Sequence, residues 1–354
     1  MQTEVNFSSK RFLLALLLCA CSVILLQNND LSPNASFTFN AICIAAGLAI
    51  CFLFFLPSLI LKKRTDSDVL TLARRFTPKL RIPIAIFYAL YFVYAALYFL
   101  LPYIDMFHTK YFPEVTPCLI TFIMLLGCAY AACKGVNVIS RFGIFLFLFA
   151  LLTNILMFGG SLSELDFNHY SFELNGDFNA FMQNTLYFVT PSFIAVIFAC
   201  CSGVTRNFRF RQPVFTLIFT GLKYAAVIFF VWFALGDYAG RQTYPAFVLS
   251  RVAHFGPFAG IESFYLALAT MSVFMIVSLF LCCISRGTCV DGNRKCVLIF
   301  TIIIFALYVT ATYNNSVKEI LVNPILLLLL TFVAAVMLPA AYIFVGRKSN
   351  AKGN

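Results

Sequence analysis

Charged residues are scarce in this sequence. Only 11% of the 354 residues are Asp, Glu, Lys or Arg, whereas 62% are hydrophobic. A soluble domain carries about a quarter charged residues. The charges that are present stand in short clusters between long apolar runs, and no stretch between these runs is long enough to form a soluble domain. The pattern excludes an ordinary soluble fold and predicts an all-α membrane protein.

Motifs for catalysis and for metal binding are missing as well. The three His residues are far apart, and the 13 Cys residues include no CxxC pair, which a metal or redox site would favour. There is no Walker loop, GxGxxG unit or hydrolase triad signature. We therefore expect no enzyme, no cofactor and no metal. The net charge of +11 follows the membrane topology described below and does not indicate nucleic-acid binding.

Ten apolar runs are candidate spanning helices, since a span needs about 20 mostly apolar residues. They cover residues 12–26, 39–61, 82–104, 117–133, 142–158, 186–204, 215–235, 261–284, 296–313 and 324–345. The first run follows two basic residues and is short, so a cleaved signal peptide stays open as an alternative there. Retention of all ten runs gives a single transmembrane domain.

The distribution of basic residues gives an independent test of this count. If the N-terminus is cytoplasmic, 20 of the 25 Lys and Arg residues fall in cytoplasmic segments, as the positive-inside rule requires. The longest outer segment, 159–184, carries no basic residue. We therefore predict that both termini are cytoplasmic. Two short amphipathic helices are expected between the spans: a cytoplasmic one at 65–76, capped by Ser67 and lying on the membrane surface, and an outer one at 244–255.

Ten spans divide into two halves of five, about 12–158 and 186–345. Because five is odd, the second half enters the membrane from the opposite side, which is the topology of inverted-repeat transporters. In these proteins the first helix of each half is broken near a substrate site at mid-membrane. In the second half, Thr190, Pro191 and Ser192 predict such a break, because proline removes a backbone donor. A simple kink is the alternative.

Tyrosines inside the third span are further candidates for a functional site. Their spacings of 3, 3 and 4 residues place Tyr88, Tyr91, Tyr94 and Tyr98 on one helix face. Two interpretations stay open: the face lines a ligand cavity, or its hydroxyls bond to neighbouring helices. We expect a mid-membrane ligand site bounded by the Thr190–Ser192 break and by the Tyr94 and Tyr98 part of this face.

Two charged residues are candidates for coupling or gating. Lys223 lies inside the seventh span, about 12 Å along the helix from its predicted cytoplasmic end. Either its ammonium faces the interior, near backbone carbonyls freed by Pro191, and replaces a coupling cation, or it extends to the cytoplasmic surface. Glu262 opens the eighth span on the outer side, where the helix dipole favours a carboxylate.

Several stretches, spread in order along nearly the whole chain, resemble one family. They are AIFYALYFVYAA at 85–96, AYAACKGVNVISRFGIF at 129–145, TYP at 243–245 followed by Arg251, and IESF at 261–264. They are similar to the permease-like B subunits of bacterial spore germinant receptors, within the amino acid/polyamine/cation transporter superfamily. The sixth helix departs from the family, because Pro191 is followed by Ser, Phe and Ile instead of the frequent Phe-Gly-Glu.

The resemblance implies ten helices in an amino-acid-permease-like fold, placed in the lipid bilayer of the inner membrane of a dormant spore. It implies a companion membrane subunit and a lipoprotein subunit as partners. The implied ligand is a small germinant, often an amino acid, whose recognition takes part in triggering germination. Two alternatives stay open: a secondary transporter of an amino acid or small amine, and a structural subunit that binds no ligand.

Overall fold

The computed structural model describes residues 7–26, 36–65, 67–77, 79–167, 177–206, 211–255, 258–288 and 294–343, and these are almost entirely helical. The helices are α1 (Ser9–Leu26), α2 (Phe37–Thr65), α3 (Val69–Phe76), α4 (Arg81–Lys110), α5 (Pro117–Lys134), α6 (Val136–Gly160), α7 (Phe178–Val189), α8 (Phe193–Cys201), α9 (Arg211–Leu235), α10 (Pro245–Val252), α11 (Glu262–Thr288), α12 (Arg294–Tyr313), α13 (Asn315–Leu321) and α14 (Pro324–Phe332). A π-helical turn at Val333–Met337 extends α14 as a span to Ile343. The strands are two-residue pairings: β1 (Phe7–Ser8) with β2 (Thr205–Arg206), and β3 (His254–Phe255) with β4 (Phe258–Ala259).

Nine helical segments in the described part of the chain are long and apolar enough to cross a membrane. α1 adds an 18-residue helix that packs inside the bundle, where Phe12 and Cys19 have no exposed surface. The predicted all-α membrane fold with about ten spans is therefore confirmed. The sixth span begins at Phe178, eight residues before the predicted start. Asp177 caps this span by accepting a hydrogen bond from the Ala180 amide at 2.8 Å. Polar residues in the first two turns of α7 lower the local hydropathy, so the apolar run alone did not indicate this start.

α1 lies at the centre of the bundle, between α6, α9 and α11. Two tyrosines hold it by donating hydrogen bonds to its backbone carbonyls: Tyr224 of α9 to Ala20 at 3.1 Å, and Tyr265 of α11 to Leu25 at 2.7 Å. Both tyrosines are fully buried. Because each hydroxyl finds its acceptor on α1, the first span is fixed on two sides by polar as well as apolar contacts.

The short helix α3 differs from the prediction in its cap and in its location. Asp68 rather than Ser67 is the cap, since its carboxylate accepts a hydrogen bond from the Thr71 amide at 2.7 Å, whereas the Ser67 hydroxyl donates to the carbonyl of Thr65. The helix also turns its apolar face toward the protein, where a helix lying on the membrane surface would turn it toward lipid. Its apolar residues are buried against the protein: Val69, Leu70, Leu72 and Ala73. The reason is an ion pair that draws Asp68 onto the bundle.

This ion pair joins the carboxylate of Asp68 to the guanidinium of Arg286, near the end of α11, with an N–O distance of 2.9 Å. The Asp68 side chain is fully buried. Gly203, after the sixth span, packs directly on this carboxylate: a Cβ there would lie 2.6 Å from Asp68 Oδ2. Close by, Lys62 donates to the carbonyl of Thr205 at 3.5 Å. We call this set, with the β1–β2 pairing, the cytoplasmic closure, because the basic-residue distribution predicts that this end faces the cytoplasm.

The opposite end carries more exposed ion pairs. The side chains of Lys318 and Asp105, whose charged atoms are 2.6 Å apart, join α13 to α4. α10 corresponds to the outer short helix expected at 244–255, and its Arg251 pairs with Glu262 at 3.1 Å. These pairs are about 40–60% exposed at one or both partners, so each adds little stability. The two ends of the bundle thus differ in how firmly they are closed.

The topology predicts which loops face the outside. In a cysteine-free background, we expect a membrane-impermeant maleimide to label Ser163→Cys in intact cells and to label Arg294→Cys only after permeabilisation. Ser163 lies in the segment 159–184 that is predicted to face outward, and Arg294 is the first residue of α12, at the end that is predicted to be cytoplasmic. Labelling of Arg294→Cys but not Ser163→Cys in intact cells would contradict the orientation.

The buried ion pair predicts a large loss of stability for Asp68→Asn. Asparagine keeps the cap of α3 but leaves the partly buried Arg286 without its counter-charge, which costs about 3 kcal/mol. Asp68→Ala also loses the cap, worth about 1 kcal/mol more. Thermal unfolding in detergent measures both. Asp177→Asn is the matched control, because Asp177 also caps a helix but is solvent-exposed. Equal unfolding temperatures for Asp68→Asn and Asp177→Asn would refute the role of the pair.

Candidate functional site

At the predicted tripeptide the sixth span changes from α-helical to 3-10 hydrogen bonding while the helix continues through it, and we call this turn the break. α7 ends at Val189, Thr190–Ser192 form one 3-10 turn, and α8 begins at Phe193. Proline at the second position of this turn contributes no backbone donor, so the α-helical bonding pattern cannot run through it. The break is buried: Thr190 and Ser192 are 6% and 2% exposed.

α2 covers the break through direct backbone contact. The thiol of Cys51 lies 3.5 Å from the carbonyl oxygen of Val189 and 3.9 Å from that of Phe188. One turn earlier, Gly47 allows the close approach, since a Cβ there would lie 2.7 Å from Phe188 Cβ. Sequence reasoning missed both residues. The signal available was a glycine and a small thiol four residues apart, hence on one face of the second span.

A buried amide pair lies one to two turns before the break. The side-chain amide of Asn184 on α7 donates to the side-chain oxygen of Asn40 on α2 at 2.8 Å, and neither side chain is exposed. A hydrogen bond between two side-chain amides inside a bilayer fixes the position of one helix along the other. The pair fixes the outer half of the sixth span against α2 and was not predicted from the sequence.

The tyrosine face of α4 binds the tenth span more than it lines a cavity. Three of its four hydroxyls bond to α14, to its π-helical turn or to the segment before it. The contacts are Tyr88 to the Ala334 carbonyl at 2.8 Å, Tyr91 to the Thr331 hydroxyl at 3.0 Å, and Tyr94 to the carbonyls of Asn323 at 2.9 Å and Ile320 at 3.2 Å. These three follow the interhelical interpretation. α14 in turn packs against the break, so it lies between the tyrosine face and Thr190–Ser192.

The third span reaches the break through its next aromatic residues. The ring of Phe99 lies 4.9 Å from that of Phe193, the first residue of α8, and 5.2 Å from that of Tyr98. Tyr98 is 7% exposed. The structure therefore brings Tyr98 near the break through Phe99, whereas Tyr88 and Tyr91 lie against α14.

Lys223 occupies the middle of α9, twelve residues from each end. This corrects the expected location near the cytoplasmic end, because α9 begins at Arg211, four residues before the predicted start. Its backbone position is about 18 Å along the axis from either end of the helix, which is farther than a lysine side chain reaches. Its helix neighbours Thr220 and Tyr224 contact α1 rather than the Pro191 carbonyls, and no hydrogen bond to Lys223 is found among the described residues.

Glu262 lies in the first turn of α11, as expected for a carboxylate favoured by the helix dipole. Its side chain pairs with Arg251, and its carbonyl accepts a hydrogen bond from the Tyr111 hydroxyl at 3.0 Å. It is thus part of the outer ion pairs, far along α11 from the cytoplasmic closure. In the described ranges, no group of three or more His, Cys, Asp or Glu side chains is arranged to hold a metal ion.

Comparison with known proteins identifies the fold and the family. Among solved structures, the chain is similar to MhsT in complex with L-phenylalanine, with a TM-score of 0.59 and 14% sequence identity. The alignment covers 96% of this chain and 98% of that one, which confirms the amino-acid-permease-like fold. No curated protein matches the sequence. The family described as spore germination protein matches residues 12–320, nearly the whole chain, and the protein therefore belongs to the spore germination permease family.

Proposed function

We propose that this protein is the permease-like subunit of a spore germinant receptor. It recognises a small germinant, which we propose to be an amino acid, inside the inner membrane of the spore. This recognition takes part in triggering germination. The observation that carries the proposal is the buried helix break at Thr190–Ser192, within a permease fold and a spore germination family. A companion membrane subunit and a lipoprotein subunit are the proposed partners.

The break supplies groups that suit an amino-acid zwitterion. Pro191 removes a backbone donor, so a carbonyl of the preceding turn can accept a hydrogen bond from an ammonium, and the Ser192 hydroxyl can donate one to a carboxylate. The carbonyls of Phe188 and Val189 are covered by the Cys51 thiol, a weak donor at long distance. A ligand ammonium that replaces this thiol gains stronger hydrogen bonds than it displaces.

The site is closed in this structure, so binding requires α2 or α14 to move away from the break. Thr190, Pro191 and Ser192 are the proposed contacts to the ligand. Tyr91 and Tyr94 position α14 through their hydrogen bonds, and Tyr98 closes the side of the third span. A ligand shifts the equilibrium between the closed and the open site only if it binds the open site more tightly. Because α14 would move as one helix, ligand binding at the break would also displace the far end of α14.

Lys223 and Glu262 are the proposed coupling and gating residues. An ammonium at the midpoint of α9, a helix that packs on α1, supplies the positive charge that a bound cation supplies elsewhere in such folds. Glu262 holds α10 to α11 through Arg251, so release of this exposed pair would free the outer end. Secondary transport of an amino acid is a second candidate function, because the fold similarity to MhsT extends over nearly the full chain. Uptake of labelled amino acids into vesicles separates the two.

The ligand site predicts the effect of removing one hydroxyl at the break. Ser192→Ala should raise the amino-acid concentration needed for a half-maximal germination response by up to about 100-fold, the equivalent of one polar contact of about 1–3 kcal/mol. Ser140→Ala is the matched control, since Ser140 is equally buried but lies on α6. A wild-type dose response of Ser192→Ala, at normal protein level, would refute this contact.

Positioning of α14 by Tyr94 predicts a different result for Tyr94→Phe than for Tyr88→Phe. Each variant loses a hydrogen bond from α4 to backbone carbonyls of the tenth-span region, so each should lower the unfolding temperature. Only Tyr94→Phe should also shift the germination dose response, because Tyr94 is the nearer of the two along α4 to Phe99, whose ring contacts Phe193 at the start of α8. Equal dose responses of the two variants would show that both tyrosines are purely structural.

Substitutions at Lys223 test the coupling role. Lys223→Met should abolish the response or make it independent of germinant, and Lys223→Arg should impair it, because a planar guanidinium does not fit where an ammonium is held. Leu222→Met is the control, as Leu222 is an exposed neighbour on the same helix. Normal abundance and normal responses of both Lys223 variants would exclude a functional role for this charge.

A further inference from the structure

Two thiols from different spans meet in the membrane-buried part of the protein. Cys201 is the last residue of α8, and Cys283 lies on α11, 82 residues later. Their Sγ atoms are 3.4 Å apart. Both are free thiols, and at most 1% of either residue is exposed.

This contact differs from those of other cysteines in the bundle. Cys51 and Cys128 direct their thiols at backbone carbonyl oxygens, as small packing groups in helices do. Cys201 and Cys283 instead face each other across two helices. Thiols in contact need little backbone movement to form a bond, since disulfide geometry requires neighbouring Cβ atoms.

The thiol pair lies directly beside the cytoplasmic closure. Arg286, which pairs with Asp68, comes three residues after Cys283, about one helical turn. On the other side, Cys201 is followed by the 3-10 turn Ser202–Val204, whose Gly203 packs on Asp68. A covalent bond between the two sulfurs would therefore join α8 to α11, directly beside the ion pair that joins the cap of α3 to α11.

We propose that Cys201 and Cys283 form a redox modification site whose oxidation locks the cytoplasmic closure. The two thiols lose two protons and two electrons as the S–S bond forms, and a membrane-soluble quinone accepts both and becomes the hydroquinone. The cytoplasm is reducing, so the dithiol is the resting form and the disulfide records exposure to an oxidant. The further consequence, loss of the germination response, rests on the proposed function.

The chemical step is tested on the full-length protein in liposomes. A fully substituted benzoquinone is the oxidant, because it has no free ring position to which a thiol can add. The thiols that remain are then blocked with a maleimide. The protein is digested without reduction, and the peptides are identified by mass spectrometry. We expect a linked peptide that joins Cys201 to Cys283, disappears on reduction and is absent in Cys201→Ala and Cys283→Ser. Cys200→Ala, the matched control, should still form it. Failure to form the linked peptide in the wild type overturns the proposal.

The locking step has a readout that needs no ligand. Oxidation should slow amide hydrogen exchange in α3 and at Thr205–Arg206 in the wild type, but not in Cys201→Ala. A linked peptide with unchanged exchange would overturn the lock. In spores, oxidation should abolish the amino-acid response reversibly in the wild type alone. If the reduced protein responds to no amino acid while the linked peptide and slower exchange are both seen, the proposed function fails and the redox site stands.

Discussion

The constraint on which this structure depends is that backbone polar groups inside a bilayer have no water to bond with. At several places where a described helix is interrupted or closely approached, a side chain from another span bonds to the backbone carbonyls. Cys51 covers the carbonyls at the end of α7, and Tyr224 and Tyr265 bond to carbonyls of α1. The bundle is thus held by polar side chains that meet backbone oxygens, and these contacts decide which helices can separate and where.

The tenth span shows the same constraint at a change of helix type. A π-helical turn at Val333–Met337 interrupts its α-helical bonding, and two neighbouring spans bond to the carbonyls there: Tyr88 to Ala334, and Ser58 of α2 to Ala335 at 3.5 Å. Single π-helical turns are frequent at functional sites. Because α14 also packs against the break in the sixth span, it connects the proposed ligand site to both α2 and α4. This connection explains why a tyrosine stripe can matter for function without touching a ligand.

Much of the fold followed from local sequence, whereas the contacts of the site did not. Apolar runs and the basic residues between them predicted the spans, and Pro191 predicted the break, because these signals act within one helix. The partners of Tyr88, Tyr91 and Tyr94 lie more than 200 residues away, so no spacing within α4 could separate a cavity from an interhelical contact. Lys223 was misplaced because α9 starts earlier than its apolar run, and Asp68 was overlooked as the cap of α3 because its ion partner Arg286 is 218 residues away.

The central position of α1 has a consequence for biosynthesis. The tyrosines that hold it, Tyr224 and Tyr265, follow their acceptors by 204 and 240 residues. During translation, α1 enters the membrane long before α9 and α11 exist, and it must wait in lipid or beside the insertion machinery until they arrive. Final assembly is therefore a late, non-local event, slowed by the long loops that must close. Truncated chains that end before α11 would expose the first span, and cellular quality control would then recognise them as incomplete.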